Sequence, residues 1–257
     1  GGINFLDTSA CYDISEELIG KTVSQRRDDF FLATKAGHIT GGYQGDAWRY
    51  QTITDSIERS LRRMKTDRLD LVQLHSCGVD VLQKGDAIRA LQDAQQAGKT
   101  RFIGYSGDNE AALWAVESGH FDALQTSYNL TDQRARAEIL PKAKAANMGV
   151  IAKRPIANAA WRADSSPSSY ADEYFRRAQK MLAEGPIPGE PDNRILTALG
   201  FAWAETHIDV FIVGTRNPDN MRKNLAWVAS ELPIDDEVVA TLQSRFGQLD
   251  DNWVQLT

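Results

Sequence analysis

Short apolar runs recur along the chain, and each is followed by a stretch with apolar residues at helical spacing. The runs are Ile3–Thr8, Phe30–Lys35, Leu69–His75, Phe102–Ser106, Ala123–Tyr128, Gly149–Pro155 and Val210–Thr215. Their near-continuous apolarity predicts strands buried on both faces, as in a parallel sheet. The intervening patterns predict helices over 15–27, 51–65, 80–97, 110–118, 132–147, 194–207, 218–229 and 235–246. In 51–65, Ile53, Ile57, Leu61 and Met64 share one helix face. Ser15, followed by Glu16 and Glu17, predicts a capped helix start. Asp108 or Asn109 caps 110–118, and Asn217-Pro218 forms a cap and first turn for 218–229. Gly98 and Gly119 are stop signals. Thr131 starts 132–147, where Pro141 breaks or kinks the helix.

Strand–helix alternation without hairpin signals predicts right-handed crossovers and an α/β fold. An open doubly wound sheet and a closed (β/α)8 barrel both fit this pattern. The count is seven strands, not eight. No second domain boundary is visible, so residues 1–257 read as one domain. The one long irregular insertion is 157–193, read either as a lid or as a surface excursion.

Composition narrows the class. The 257 residues are 42% hydrophobic and 25% charged, an ordinary globular balance, with a formal charge of −6. That sign gives no electrostatic footprint for nucleic acid. Arg26-Arg27 and Arg62-Arg63-Met64-Lys65 are basic but read as solvated helix faces. No apolar run reaches the ~18 residues of a membrane span, and no leader pattern opens the chain. Two cysteines, Cys11 and Cys77, make no disulfide framework and point to a reducing, cytoplasmic setting. Both read as small rim thiols near an active-site mouth.

Parallel α/β folds gather ligands beyond the C-terminal ends of their strands. There the first strand ends in Asp7, with Tyr12 five residues on; the second ends in Lys35 and the third in His75. Singly, each has an ordinary structural role. Jointly, an acid, a phenol, an amine and an imidazole form a proton-transfer set. A phenol ionises near pH ~10, and an adjacent ammonium stabilises the phenolate. A carboxylate aims that ammonium, and a histidine can orient the reacting oxygen. The set suits proton transfer to a carbonyl oxygen while hydride reaches the carbon. No side chain donates hydride, so a nicotinamide cofactor is required. A metal site from Asp7, His38 and His75 is disfavoured because Lys35 would oppose the cation. No Gly-x-Gly-x-x-Gly follows a strand, so the Rossmann fingerprint is absent.

The stretch Gly2–Tyr12, Ala33-Thr34-Lys35 and Leu69–His75 resembles the aldo-keto reductases. The likeness continues through Gly104-Tyr105-Ser106, Gln125–Asn129 and Ile212–Thr215. It implies a (β/α)8 TIM barrel whose first strand and helix would precede Gly1, and NADPH-dependent reduction of an aldehyde or ketone. The resemblance makes Tyr12 the general acid, tuned by Asp7 and Lys35, with His75 orienting the substrate carbonyl. It gives Ser106 and Gln125, with Asp108 or Asn109, to the nicotinamide carboxamide. It gives Gly214, Thr215, Arg216, Asn217 and Asn224 to the pyrophosphate and adenosine end. Where many members stack an aromatic residue on nicotinamide, this chain has Lys153 and Arg154. Where some hold the 2′-phosphate with lysine, it has Gly214, and Arg216 is the substitute that favours NADPH over NADH.

Two other readings stay open at this stage. The chain can be an NADP(H)-binding sensor or regulatory protein with little turnover, or a (β/α)8 lyase using Lys35 as a Schiff base. The substrate is a small carbonyl compound, and its identity depends on the loops Gly37–Tyr50, Ser76–Asp86 and 157–193 and on the C-terminal tail. Tyr43, Trp48, Trp161 and Trp253 either wall a pocket there or pack the loops down.

Overall fold

A computed structural model describes residues 1–256. It contains two compact units. The first comprises Gly2–Gln125 with Ala145–Gly149. It runs β1 (Phe5–Asp7), α1 (Ser15–Thr22), β2 (Phe31–Ala36), α2 (Tyr50–Met64) and β3 (Leu69–His75). It continues with α3 (Val79–Lys84), α4 (Asp86–Gln96), β4 (Thr100–Ser106), α5 (Asn109–Ser118) and most of β5 (Ala123–Ser127). These strands pair in parallel and in sequence order.

The register decides which side chains meet. Asp7 pairs with Ala33, Lys35 with Gln73, His75 with Ser106, and Ser106 with Gln125. Side chains alternate along a strand, so Asp7, Lys35, Gln73, His75, Ser106 and Gln125 share one face of the sheet. The opposite face carries Leu32, Val72, Leu74, Ile103 and Leu124, all buried. Against that unit's sheet lies α2, with Ile53, Ile57, Leu61 and Met64 buried as the periodicity predicts.

The second unit comprises Thr126–Lys144 and the chain from Val150 onward, with Gly1. It holds most of α6 (Ile139–Ala145) and of β6 (Gly149–Lys153), and all of α7 (Asp172–Ala183), α8 (Arg194–Trp203), β7 (Val210–Ile212), α9 (Pro218–Ser230) and α10 (Asp236–Leu249). β6 and β7 pair in parallel, Ile151 with Val210 through Lys153 with Ile212. The seven strands follow sequence order, β1 to β7. No helix among the described residues is long and apolar enough to cross a membrane.

Several helices differ from expectation, each for a local reason. The helix predicted over 15–27 ends at Thr22, and a 3-10 segment, Ser24–Asp29, follows. Thr22 and Ser24 hydroxyls donate back to the carbonyls of Leu18 and Gly20, which competes with helix continuation. Ser15 does not cap it: Ile14 holds that position, and the Ser15 Oγ accepts from Thr8 Oγ1 at 2.8 Å. The helix over 80–97 is two, divided at Gly85, whose φ of +76° is left-handed. Pro141 does not break a long helix; it lies in the first turn of α6, after a separate 3-10 turn Arg134–Ala137. Residues 157–193 are not irregular. They include α7, whose Tyr174 packs against Ala157 and Ala160.

Gly20 marks a close approach of α1 to α2. A Cβ there would lie 2.1 Å from the Arg63 carbonyl oxygen of α2, a backbone atom that cannot swing aside. Gly247, in α10, has nothing within 4 Å of the same imaginary atom. Helix propensity favours alanine at both sites by about 1 kcal/mol. Gly20→Ala is therefore expected to lower the unfolding free energy by about 1–3 kcal/mol through overpacking. Gly247→Ala is expected to raise it by up to about 1 kcal/mol. Urea unfolding of both variants checks the pair, and equal effects would contradict the packing.

Candidate active site

The strand ends of the first unit carry a connected polar cluster. Lys35, 1% exposed, donates from Nζ to Asp7 Oδ2 at 2.5 Å and to the Thr8 carbonyl at 3.0 Å. The other Asp7 oxygen accepts from Gln125 Nε2 at 2.9 Å and from Gln73 Nε2 at 3.4 Å. Ser106 Oγ donates to Gln125 Oε1 at 3.1 Å. The ammonium and carboxylate are thus removed from water but paired and bonded, the condition under which buried charges persist. Gly104 gives this floor its room, because a Cβ there would come within 3.1 Å of Gln73 Cγ.

Tyr12 stands at the mouth, 46% exposed. The Lys35 Nζ lies 5.0 Å from the centre of its ring. Burial raises the phenol's pKa, and this effect is the largest; Lys35 pulls it down, while Asp7 and Cys11 push it up. The net direction is upward from 10, so the phenol holds its proton at neutral pH. The downward pull expected of Lys35 is present but outweighed by burial.

His75 meets Tyr12 edge to face, with ring centroids 5.8 Å apart. Its Nδ1 lies 3.2 Å from Ser9 Oγ and 3.4 Å from Cys11 Sγ. Hydrogen bonding at one ring nitrogen sets the tautomer at the other. Asp7, Tyr12, Lys35, His75, Ser106 and Gln125 are therefore brought together in one unit. The arrangement can hold a neutral phenol beside an ammonium and an imidazole, which is what proton donation to an oxygen needs.

Asp108 and Asn109, at the start of α5, lie in the first unit, and the remaining candidates lie in the second. Lys153 ends β6, and Arg154 follows with a left-handed φ of +59°. The Arg154 guanidinium donates to Ser127 Oγ at 3.0 Å and to the Leu256 carbonyl and the Tyr170 hydroxyl. Thr215, Arg216 and Asn217 precede α9, and Asn217 caps it by accepting from the Asp219 N–H at 2.9 Å. Gly214 and Arg216 lie in the same open segment, while Asn224 is buried.

Two participants were not singled out as site residues from sequence. Gln73 sits two residues before His75, so strand alternation alone places it on the same face. Ser9 carries no comparable signal, since loop geometry brings it to His75. Of the four loop aromatics, Trp48 reaches the cluster, donating to the His75 carbonyl at 3.3 Å. Tyr43 bonds Asp55, Trp161 is fully buried on Glu190, and Trp253 packs on Phe246. Cys77 is 2% exposed, and burial pushes its thiol up to about 12, so it is not a reactive rim group.

Comparison with known proteins agrees with this architecture. The model of the Aldo/keto reductase family matches residues 1–245. An uncharacterized oxidoreductase of Bacillus subtilis (strain 168), YqkF, is 28% identical over 265 residues, covering 96% of this chain and 84% of that one. L-galactose dehydrogenase of Arabidopsis thaliana is 29% identical over 260 residues, covering 95% and 80%. Among solved structures, the holo form of an aldo-keto reductase from Bacillus halodurans superposes with a TM-score of 0.80 at 25% identity, covering 95% and 83%. The seven parallel strands in sequence order are those of a (β/α)8 barrel with one strand–helix unit fewer. By its family match, its strand order and its structural likeness, this chain belongs to the aldo/keto reductase family.

Proposed function

We propose that the protein reduces an aldehyde or ketone to an alcohol with NADPH, and that Tyr12 donates the proton. The observation that carries this reading is Lys35 Nζ, held 2.5 Å from Asp7 and 5.0 Å from the Tyr12 ring. The family match spans both units, which supports treating residues 1–257 as one catalytic domain.

The floor fits a nicotinamide carboxamide. Ser106 and Gln125 offer buried hydroxyl and amide groups, and Gln73 Oε1 is a buried acceptor without a hydrogen-bond partner. Ser106 and Gln125, with Asp108 or Asn109, would hold that amide. Lys153 and Arg154 would stand at the nicotinamide ring, and Gly214, Thr215, Arg216, Asn217 and Asn224 would serve the pyrophosphate and adenosine end, where the N-terminus of α9 favours phosphate. When bound, the nicotinamide supplies hydride to the carbonyl carbon.

The side chains of this chain do the rest. His75 orients the substrate carbonyl. Tyr12 transfers its proton to the carbonyl oxygen, and Lys35 stabilises the phenolate that remains. Asp7 keeps the ammonium aimed. Two free cysteines and a cluster that needs no disulfide support a cytoplasmic setting.

Tyr12→Phe removes the proton donor while leaving the ring. Its kcat for carbonyl reduction is expected to fall about 10²–10⁴-fold, with NADPH affinity changed less than about twofold. Because the phenol's pKa lies above its ordinary value, wild-type reduction should show no loss from Tyr12 ionisation until the pH passes about 10. A pH–rate profile in the reducing direction checks this. Fluorescence titration is expected to give tighter binding of NADPH than of NADH. Arg216→Ala should weaken NADPH selectively, and an equal loss for both nucleotides would remove Arg216 from the 2′-phosphate.

A further inference from the structure

The loop from β2 to α2 folds back onto the site. The Trp48 N–H donates to the Gly37 carbonyl at 2.8 Å. The Trp48 indole covers Gly37, where a Cβ would lie 2.4 Å from the ring, and Gly37 has a φ of +124°. Glycine is required there on both counts. The fold-back sets His38 against Trp48, with ring centroids 5.0 Å apart. It also sets His38 edge-on to His75, at 4.7 Å and 80°.

Trp48 also reaches the His75 main chain, its Nε1 donating to the His75 carbonyl at 3.3 Å. The next residue, Ser76, has a left-handed φ of +56°, and its N–H donates to the Ser106 carbonyl at 2.7 Å. A non-glycine residue in that region persists only where neighbouring contacts hold it. His75 thus leaves β3 at a strained point, and two side chains from another strand's loop grip it.

We propose that His38 is a positioning residue for His75: Trp48 holds the His75 main chain while His38 packs against its imidazole, fixing that ring beside Tyr12. The catalytic consequence rests on the reductase reading above, whereas the clamp itself does not. His38 works in its neutral form. Burial lowers its pKa from 6.5, and the nearby His75 backbone opposes that shift. The groups facing it are the His75 imidazole from β3 and the Trp48 indole from its own loop. Ser9 and Cys11 approach His75 from the β1 side. Protonating His38 would place a cation against the His75 ring.

The test uses the full chain with ¹⁵N-histidine labelling, in which four histidines give few ring signals. Without cofactor, His38→Leu and Trp48→Phe are each expected to move the His75 ring resonances. His38→Gln, which keeps a flat polar group against the ring, should move them less. In turnover, His38→Leu is expected to lose about tenfold or more in kcat, as a misplaced group does. NADPH affinity should stay within about twofold, and His38→Gln should recover most of the loss. His75 signals unmoved in both His38→Leu and Trp48→Phe overturn the clamp, even if the wild type proves inactive on carbonyls. A wild-type kcat in a His38→Leu protein with displaced His75 signals overturns the positioning role. If His38→Leu fails to fold by thermal unfolding, Trp48→Phe decides both questions.

Discussion

The buried ion pair between Asp7 and Lys35 is the interaction on which the candidate site depends. Both side chains are almost wholly removed from water, 6% and 1% exposed. Either charge alone would cost several kcal/mol there. The pair persists because directed polar partners satisfy both charges. The Thr8 carbonyl takes a second ammonium proton, and two glutamine amides, from β3 and β5, share the far carboxylate oxygen. Four strands must be in register for this to form. A one-residue slip would turn the side chain to the other face and leave the carboxylate without its partners. Fold and chemistry are thereby coupled: the parallel register exists to bury the sheet, and it also delivers the ammonium beneath the phenol.

The same pair explains the intermediate character of Tyr12. Desolvation alone would make the phenolate costly and the proton hard to release. Lys35 offsets part of that cost, while Asp7 returns some of it. The result is a phenol that keeps its proton at neutral pH yet has a cation ready when the proton leaves. His75 completes the arrangement from the neighbouring strand, its orientation set by Ser9 and Cys11 on one side and by His38 and Trp48 on the other.

Much of this was legible in the sequence because it depends on strand ends. Asp7, Lys35 and His75 each close an apolar run, and topology brings successive parallel strand ends to one edge. Gln73 was equally legible by period-two alternation from His75. The loops were not. Trp48 reaches His75 through a fold-back that needs glycine at 37, and nothing in the local pattern announces that contact. Helix limits failed where side chains compete with the backbone, as Thr22 and Ser24 do, or where one glycine turns the chain, as Gly85 does. The segment 157–193 looked irregular because its serines and prolines cluster at its ends, yet Asp172–Ala183 is a regular helix. Arg154 carries contacts that the motif did not announce: its guanidinium engages Ser127, Tyr170 and the Leu256 carbonyl.

The central claim is that Lys35, aimed by Asp7, stabilises the Tyr12 phenolate. Its most direct test is the ionisation of Tyr12 itself, read by ¹³Cζ-tyrosine NMR in the wild type and in a Lys35→Met/Asp7→Asn protein. The double change removes the ammonium and the carboxylate together, so no unpaired charge is left buried. Because the pull of Lys35 on Tyr12 exceeds the opposing push of Asp7, the Tyr12 pKa is predicted to rise when both are neutralised. A Tyr12 pKa that stays the same or falls would contradict the account.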